Sequence, residues 1–166
     1  MRIRKSLGQL GQVAREIANY RTQLNDKIKL FTERVAYYIQ MQADSLFGAA
    51  VVDIQPNGTY DNANVEVEVR RDGDIYIVIA KGEEAVFVEF GAGVYFNGTG
   101  SPRPGGEELS LTIGSYGLGH GMQNAWAFSS ADGKVVTRGT PAQMPLYKSM
   151  CAARDNILTI AEEVFG

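Results

Sequence analysis

The amino-acid sequence predicts an α+β fold in which a long N-terminal helix and a C-terminal helix pack on a small antiparallel sheet. Three observations support it: apolar residues recur every seven positions near the N-terminus, two Asp-Gly pairs separate short β-forming runs, and a proline-containing segment precedes a last amphipathic run. A long glycine-rich loop interrupts the sheet. At 166 residues, the chain is expected to form a single domain over residues 1–166.

The first element is a helix over about residues 9–47, because this stretch has no proline and no glycine after Gly11. About 36 residues of helix would span about 54 Å, whereas a compact body of this size is about 40 Å across. The apolar face therefore needs either a partner subunit or a break into two helices at Asn25-Asp26. The face consists of Leu10, Ile17, Leu24, Ile28, Phe31, Val35 and Tyr38.

A sheet and a loop are predicted over residues 48–139. Val51 to Gln55 indicates a short strand, and valines alternate with charged residues over 65–69. Asp72-Gly73 joins that strand to the run 75–79, which predicts a hairpin whose two turn positions both have positive φ. The segment 83–90 fits either a strand or a short helix ended by a glycine.

The second half of the sheet contains the glycine-rich loop, residues 91–121, with a possible strand over 109–113. Asp132-Gly133 predicts a second hairpin between the runs 125–128 and 135–137.

A C-terminal helix over about residues 142–165 closes the fold, and Thr140, Pro141 and Pro145 mark its start. Its packed face is expected to contain Tyr147, Met150, Cys151, Leu158, Ala161 and Phe165.

The charge is divided unevenly along the chain. Residues 1–45 carry eight Lys/Arg and four Asp/Glu, whereas the remainder carries eight and fifteen. A sequence pI near 5.2 argues against a dedicated DNA-binding protein. We therefore interpret the asymmetry as complementarity between the two parts, within one chain or between neighbouring copies.

Catalytic chemistry finds little support in the residues. A single cysteine, Cys151, and a single histidine, His120, make a cysteine metal cage and most histidine chemistry improbable. Residues 117–121 (GLGHG) lack the third glycine of a dinucleotide-binding turn. The residues thus indicate an interaction protein with no active site, no metal and no cofactor.

Three segments resemble the head–tail joining (tail-completion, neck) proteins of long-tailed bacteriophages: residues 87–93 (FVEFGAG), 126–128 (WAF) and 137–147 (TRGTPAQMPLY). The order of elements is similar over about residues 10–165, and the insertion at 97–121 departs from simpler members. The resemblance favours the short helix for 83–90. It is carried by Glu89, Gly91, Gly93, Trp126, Gly139, Pro141 and Pro145.

The resemblance implies a virion protein of the neck or tail that forms a hexameric ring between the head connector and the tail tube. It implies no catalytic residues. The implied partners are other copies of the chain, connector or neck proteins and tail-tube proteins. DNA would pass through without sequence-specific binding, no membrane would be involved, and assembly would occur in the host bacterial cytoplasm.

Two interaction regions follow. We expect the apolar helix face, Leu10 to Tyr38, to bind neighbouring copies. We expect the glycine-rich loop to bind connector or tail proteins through Tyr95, Phe96, Arg103, Tyr116 and His120. Two alternatives stay open: a tail terminator that caps the tube, and a small-molecule-binding or sugar-binding enzyme that uses His120 with Glu107 or Glu108.

Overall fold

The fold is α+β, as the sequence predicts. The computed structural model describes residues 7–55, 57–92, 125–130 and 133–166. Within these ranges a long N-terminal helix and two C-terminal helices pack with small antiparallel strand pairs. The expected loop strand over residues 109–113 lies outside the described residues.

Helix α1, Leu7–Gly48, is one unbroken helix of 42 residues. At 1.5 Å per residue it is about 63 Å long, longer than a compact body of this size. It runs through Asn25-Asp26 without interruption, so the alternative of two shorter helices is wrong. Among the side chains of α1 that the structure describes, from residue 10 onward, buried and half-buried ones begin at Phe31.

The strands of the described ranges form three separate two-stranded antiparallel ladders instead of one sheet. Strand β1, Val51–Val52, pairs with β2, Asp61–Asn62. The predicted strand to Gln55 is shorter than expected, because Ile54 leaves β1 and makes an isolated bridge to Gly139.

The first predicted hairpin is confirmed. Strand β3, Glu66–Asp72, pairs with β4, Ile75–Lys81, in continuous register from Glu66–Lys81 to Asp72–Ile75. The two-residue turn is Gly73-Asp74, one position later than Asp72-Gly73, and only Gly73 has positive φ, at 61°. A glycine at the first turn position is the preference of type II′ turns, so the expectation of two positive φ values is wrong.

Helix α2, Ala85–Phe90, resolves the ambiguity of residues 83–90 in favour of a helix. Ala85, Val88 and Glu89 are buried on one side of it. Gly91 ends the helix at φ 82°, and its N–H donates to the Phe87 carbonyl at 2.6 Å. A glycine adopts this conformation without the steric cost that a Cβ would add.

The second hairpin is formed by β5, Trp126–Ser130, and β6, Gly133–Thr137. Its antiparallel register runs from Trp126–Thr137 to Ser130–Gly133. The predicted hairpin therefore forms, but Gly133 belongs to β6 and not to the turn.

The C-terminal helix is divided into α3, Pro145–Asp155, and α4, Ile157–Phe165, so the prediction of one helix is wrong. Asp155 and Asn156 are both poor helix formers, and Asn156 leaves the helical conformation at φ −100° and ψ 6°. The expected packed face is also wrong, since Met150, Leu158 and Phe165 are exposed. The buried positions are Pro145, Ser149, Ala153, Ile160 and Val164.

The core lies between the C-terminal half of α1, the β3–β4 hairpin and α2. Its buried apolar side chains are Ala43, Phe47, Ala50, Val52, Val67 and Val88. Both α3 and α4 also contact α1, and the Gln40 side-chain amide donates to the Val67 carbonyl at 2.9 Å. The second half of α1 is therefore the support for the remaining body.

Val88→Ala should lower the free energy of unfolding by about 2 to 3 kcal/mol, because it removes two methyl groups from a side chain with no solvent exposure. The matched control is Val86→Ala in the same helix, where the side chain is exposed and the change should stay within about 0.5 kcal/mol. Urea unfolding of both variants measures the difference. Equal losses would contradict this assignment of the buried face of α2.

Candidate assembly surface

The N-terminal part of α1 extends away from the body. We call residues 10–30 the arm, and every residue of the arm is exposed. At 1.5 Å per residue the arm is about 30 Å long. An apolar face on such a segment has no cover among the residues that the structure describes, and exposed apolar patches of this kind mark interaction sites.

The apolar side chains of the arm lie on one face of the helix, because they are separated by three, four or seven residues. We call this face the stripe, and it includes Ile17, which is 63% exposed, and Tyr20, which is 66% exposed. Its members are Leu10, Val13, Ile17, Tyr20, Leu24 and Ile28. Val13 and Tyr20 escaped the sequence prediction, although their position three residues after Leu10 and Ile17 places them on the same face.

The arm ends where α4 reaches α1. The Phe31 and Phe165 rings lie 5.9 Å apart between centroids. Arg34 and Glu163 form an ion pair at 2.9 Å, and Lys27 donates to the Phe165 carbonyl at 3.4 Å. The structure thus separates the predicted interface residues into two groups. Leu10, Ile17, Leu24 and Ile28 are exposed, whereas Phe31, Val35 and Tyr38 are half-buried by their own chain.

An apolar groove lies directly beyond the arm, between α1, β4 and the start of α4. Its volume is about 380 Å³. The α1 side is formed by Phe31, Thr32, Val35, Ala36 and Ile39, and the opposite sides are formed by Asp74, Ile75, Tyr76, Val78 and Ile157. Ile75 is 65% exposed at its edge. The stripe and the groove therefore follow one another along the same face of α1.

The charges of the arm and the body are opposite. The arm carries four Lys/Arg and two Asp/Glu, whereas the described residues after it carry eight and fourteen. One acidic side chain, Asp74, borders the groove and lies 3.5 Å from Lys29. The charge asymmetry of the sequence thus corresponds to a basic arm and an acidic body.

A second cluster joins two of the segments that resemble the neck proteins. Glu89, only 2% exposed, accepts hydrogen bonds from the backbone N–H groups of Leu146 at 2.8 Å and Tyr147 at 3.0 Å. These groups belong to the first turn of α3. Its N-cap residue, Met144, directly precedes Pro145 and makes no side-chain cap hydrogen bond. A carboxylate satisfies the free N–H groups of a helix start and interacts favourably with its dipole.

Backbone hydrogen bonds also connect the two segments of this cluster. The Val88 carbonyl accepts from the N–H groups of Gln143 at 2.8 Å and Met144 at 3.3 Å. Ala92 and Thr140 exchange backbone hydrogen bonds at 2.7 and 3.1 Å. The two motif segments are consequently in direct contact although about fifty residues separate them in the sequence.

The same segment also binds the strand region after α1. The Gln143 side-chain amide accepts from the Val51 N–H at 3.0 Å and donates to the Val51 carbonyl at 2.7 Å. The Ile54 N–H donates to the Gly139 carbonyl at 3.0 Å, and Pro145 is buried at the start of α3. Pro141 is half-buried. The motif residues in the described ranges thus hold backbone segments together.

The remaining predicted site residues are not placed. The five loop residues expected to bind partners, together with Gly93 and the carboxylates of the enzyme alternative, lie outside the described residues: Tyr95, Phe96, Gly93, Arg103, Glu107, Glu108, Tyr116 and His120. Trp126 is described only through its backbone pairing with Thr137.

Three further features of the described ranges concern metal binding, membrane crossing and thiol chemistry. In residues 7–55, 57–92, 125–130 and 133–166, no group of three His, Cys, Asp or Glu side chains is close enough to hold a metal ion. No described helix combines the length and the apolar character needed to cross a membrane. Cys151 is a free, half-buried thiol.

Comparisons with protein-family models, with curated proteins and with solved structures find no match to this chain.

Glu89→Gln should lower the free energy of unfolding by about 1.5 to 3 kcal/mol, because an amide replaces a buried carboxylate that accepts two hydrogen bonds. Glu83→Gln, at an exposed position just before α2, is the control and should change stability little. Chemical denaturation at pH 7 measures both. A Glu89 variant as stable as the wild type would show that the α3 start does not depend on this carboxylate.

Burial, followed by the negative charges of Glu84 and Asp61, raises the pKa of Asp53. A carboxyl with a raised pKa in the folded state binds its proton more tightly there than in the unfolded chain. Its ionised form therefore destabilises the fold above the folded-state pKa, and this destabilisation is removed as the pH falls through that pKa toward the unfolded value.

Asp53→Asn should accordingly be more stable than the wild type at pH 7, and the difference should shrink as the pH falls toward about 4. Asparagine also tolerates the positive φ of 50° at this position. Thermal unfolding across this pH range provides the measurement, with the exposed Asp44→Asn as a control for the loss of one charge. A stability difference independent of pH would contradict the assignment.

Proposed function

We propose that this protein is a structural subunit of the neck of a long-tailed bacteriophage, which assembles into a ring and joins the head connector to the tail tube. The observation that carries the proposal is the exposed stripe on the arm. The phage assignment is supported by the sequence resemblance of residues 87–93, 126–128 and 137–147. The ring is a hexamer by the same resemblance.

The exposed stripe supports self-assembly on energetic grounds. Most of the stability of a helix in a protein comes from the packing of its apolar face, and little comes from helix propensity. The arm has six large apolar side chains on one face, and none of the described residues buries them. A partner that covers this face would stabilise the arm and remove the exposed apolar surface from water.

The charge distribution supports contact between unlike surfaces of neighbouring copies. The basic arm attracts the acidic body of another copy, whereas two arms with the same net charge repel each other. A contact between two different surfaces forms a ring when the rotation between copies closes. The mild acidity of the chain also suits a channel for DNA, because a strongly basic lumen would bind phosphates.

The motif cluster has a structural role. Glu89, Gly91, Gly139 and Pro145 hold the body together through caps, turns and backbone hydrogen bonds. Residues with such roles specify a fold, and a fold alone does not determine a function. The phage assignment therefore rests on the sequence resemblance, and the arm supports the assembly.

The double variant Ile17→Glu/Leu24→Glu should abolish ring formation, because it places two charges in the middle of the stripe. Both side chains are exposed, so the helical content and the unfolding midpoint of the monomer should stay close to those of the wild type. Light scattering and negative-stain images of the wild type and the variant measure assembly. Phe31 is unsuitable for this test because it packs on Phe165 within the chain.

Leu30→Glu is the matched control, since Leu30 is an exposed leucine of the arm that lies off the stripe. This variant should still form rings. A wild-type chain that remains a monomer at high concentration, or a double variant that assembles normally, would contradict the proposed function.

A further inference from the structure

Two apolar surfaces of this chain lack a partner among the described residues: the stripe on the arm and the groove beyond it. We propose that they are partners of each other between copies, so that the arm of one copy docks in the groove of the next. This inference rests on the proposed function, because it specifies how neighbouring subunits of the ring make contact. It commits to a second copy of the chain as the occupant of the groove.

The lengths of the two surfaces match. The α1 side of the groove extends from Phe31 to Ile39, which corresponds to about 12 Å of helix. On the arm, Ile17 and Leu24 are seven residues apart, or about 10.5 Å, with Tyr20 between them on the same face. A helix that docks in a groove uses anchors with this spacing. Two turns of the arm therefore fit the length of the groove.

The charges around these surfaces also match. Arg21 lies beside the stripe anchors, four residues after Ile17 and three before Leu24, and it is exposed. Asp74 borders the groove, and its side chain is 78% exposed despite its contact with Lys29. The arm of a neighbouring copy would bring Arg21 toward this acidic edge, and such complementarity sets the register of a contact.

Docking of the arm in the groove covers both kinds of apolar surface, whereas pairing of two arms covers one. Two paired arms would cover both stripes but leave the groove of each copy open. The arm-to-groove contact covers a groove and the centre of a stripe at every step, and a closed ring repeats this contact for every copy. It also places unlike charges together, whereas arm pairing brings two basic segments together.

The test combines two defective variants. The arm variant Ile17→Glu/Leu24→Glu keeps an intact groove, and the groove variant Ile75→Lys/Ile157→Lys keeps an intact arm. Each should be a monomer alone. An equimolar mixture should form a one-to-one complex with twice the mass of a single chain, because only one intact arm and one intact groove can meet. Native mass spectrometry of the variants, the mixture and the wild type measures this.

Two controls accompany the groove variant. Leu158→Lys changes an apolar residue next to Ile157 that is 75% exposed and does not line the groove, so this variant should still assemble. The single variant Ile75→Lys lies at an exposed edge and keeps the test valid if the change at Ile157 unfolds α4. It should reduce assembly while leaving the unfolding midpoint unchanged.

The outcomes separate the two proposals. Wild-type rings together with a mixture that contains no one-to-one complex would overturn the arm-to-groove contact and leave the ring in place, with another protein or another part of this chain in the groove. Groove variants that form normal rings would overturn the contact as well. A wild type that never assembles would overturn the proposed function and this inference together.

Discussion

The structure depends on the unequal division of α1 between body and solvent. Four elements of the body, β3, β4, α3 and α4, pack against the second half of α1. Its first half carries the stripe, which continues the row of Phe31 and Val35 and lies on a different face from the buried Ala36, Ala43 and Phe47. Because α1 is one unbroken helix, the arm extends the axis of the packed half. The helix that organises the body thus also carries an apolar face that no described residue buries.

The body, in turn, depends on the buried carboxylate of Glu89. It fixes the start of α3 against α2 while Gln143 holds the same segment to Val51. The position of α3 determines where α4 begins, and Ile157 at that point is one side of the groove. The cluster that carries the family resemblance is thus linked through α3 to the surface that we propose as a docking site.

The parts of the fold that depend on local sequence were predictable. A seven-residue apolar repeat without proline predicts α1, and Asp-Gly pairs predict both hairpins. The division of the C-terminal helix at Asn156 was missed because two poor helix formers do not by themselves end a helix. Tyr20 lies outside the seven-residue row that begins at Leu10, so the repeat alone does not identify it as part of the stripe.

The role of Glu89 was beyond sequence reasoning for a different reason. Its partners are backbone groups of Leu146 and Tyr147, more than fifty residues away, and a backbone N–H leaves no mark in a sequence. The sequence does not distinguish a glutamate that is buried as a helix cap from one that is exposed to water. The exposure of the arm was predictable in outline, because the expected helix is longer than the expected body.

The arrangement of arm and groove on one rigid helix constrains any ring built from them. Ile17 and Phe31 are fourteen residues apart, so the docking segment and its receptor are offset by about 21 Å along α1. If successive α1 helices were parallel, this offset would accumulate from copy to copy and the copies would form an open filament instead of a ring. A closed ring requires the arm to cross the neighbouring α1 at an angle. That angle is controlled by the side chains on either side of the groove, above all those of β4 and Ile157, so the same few residues would determine both whether neighbours bind and whether the ring closes.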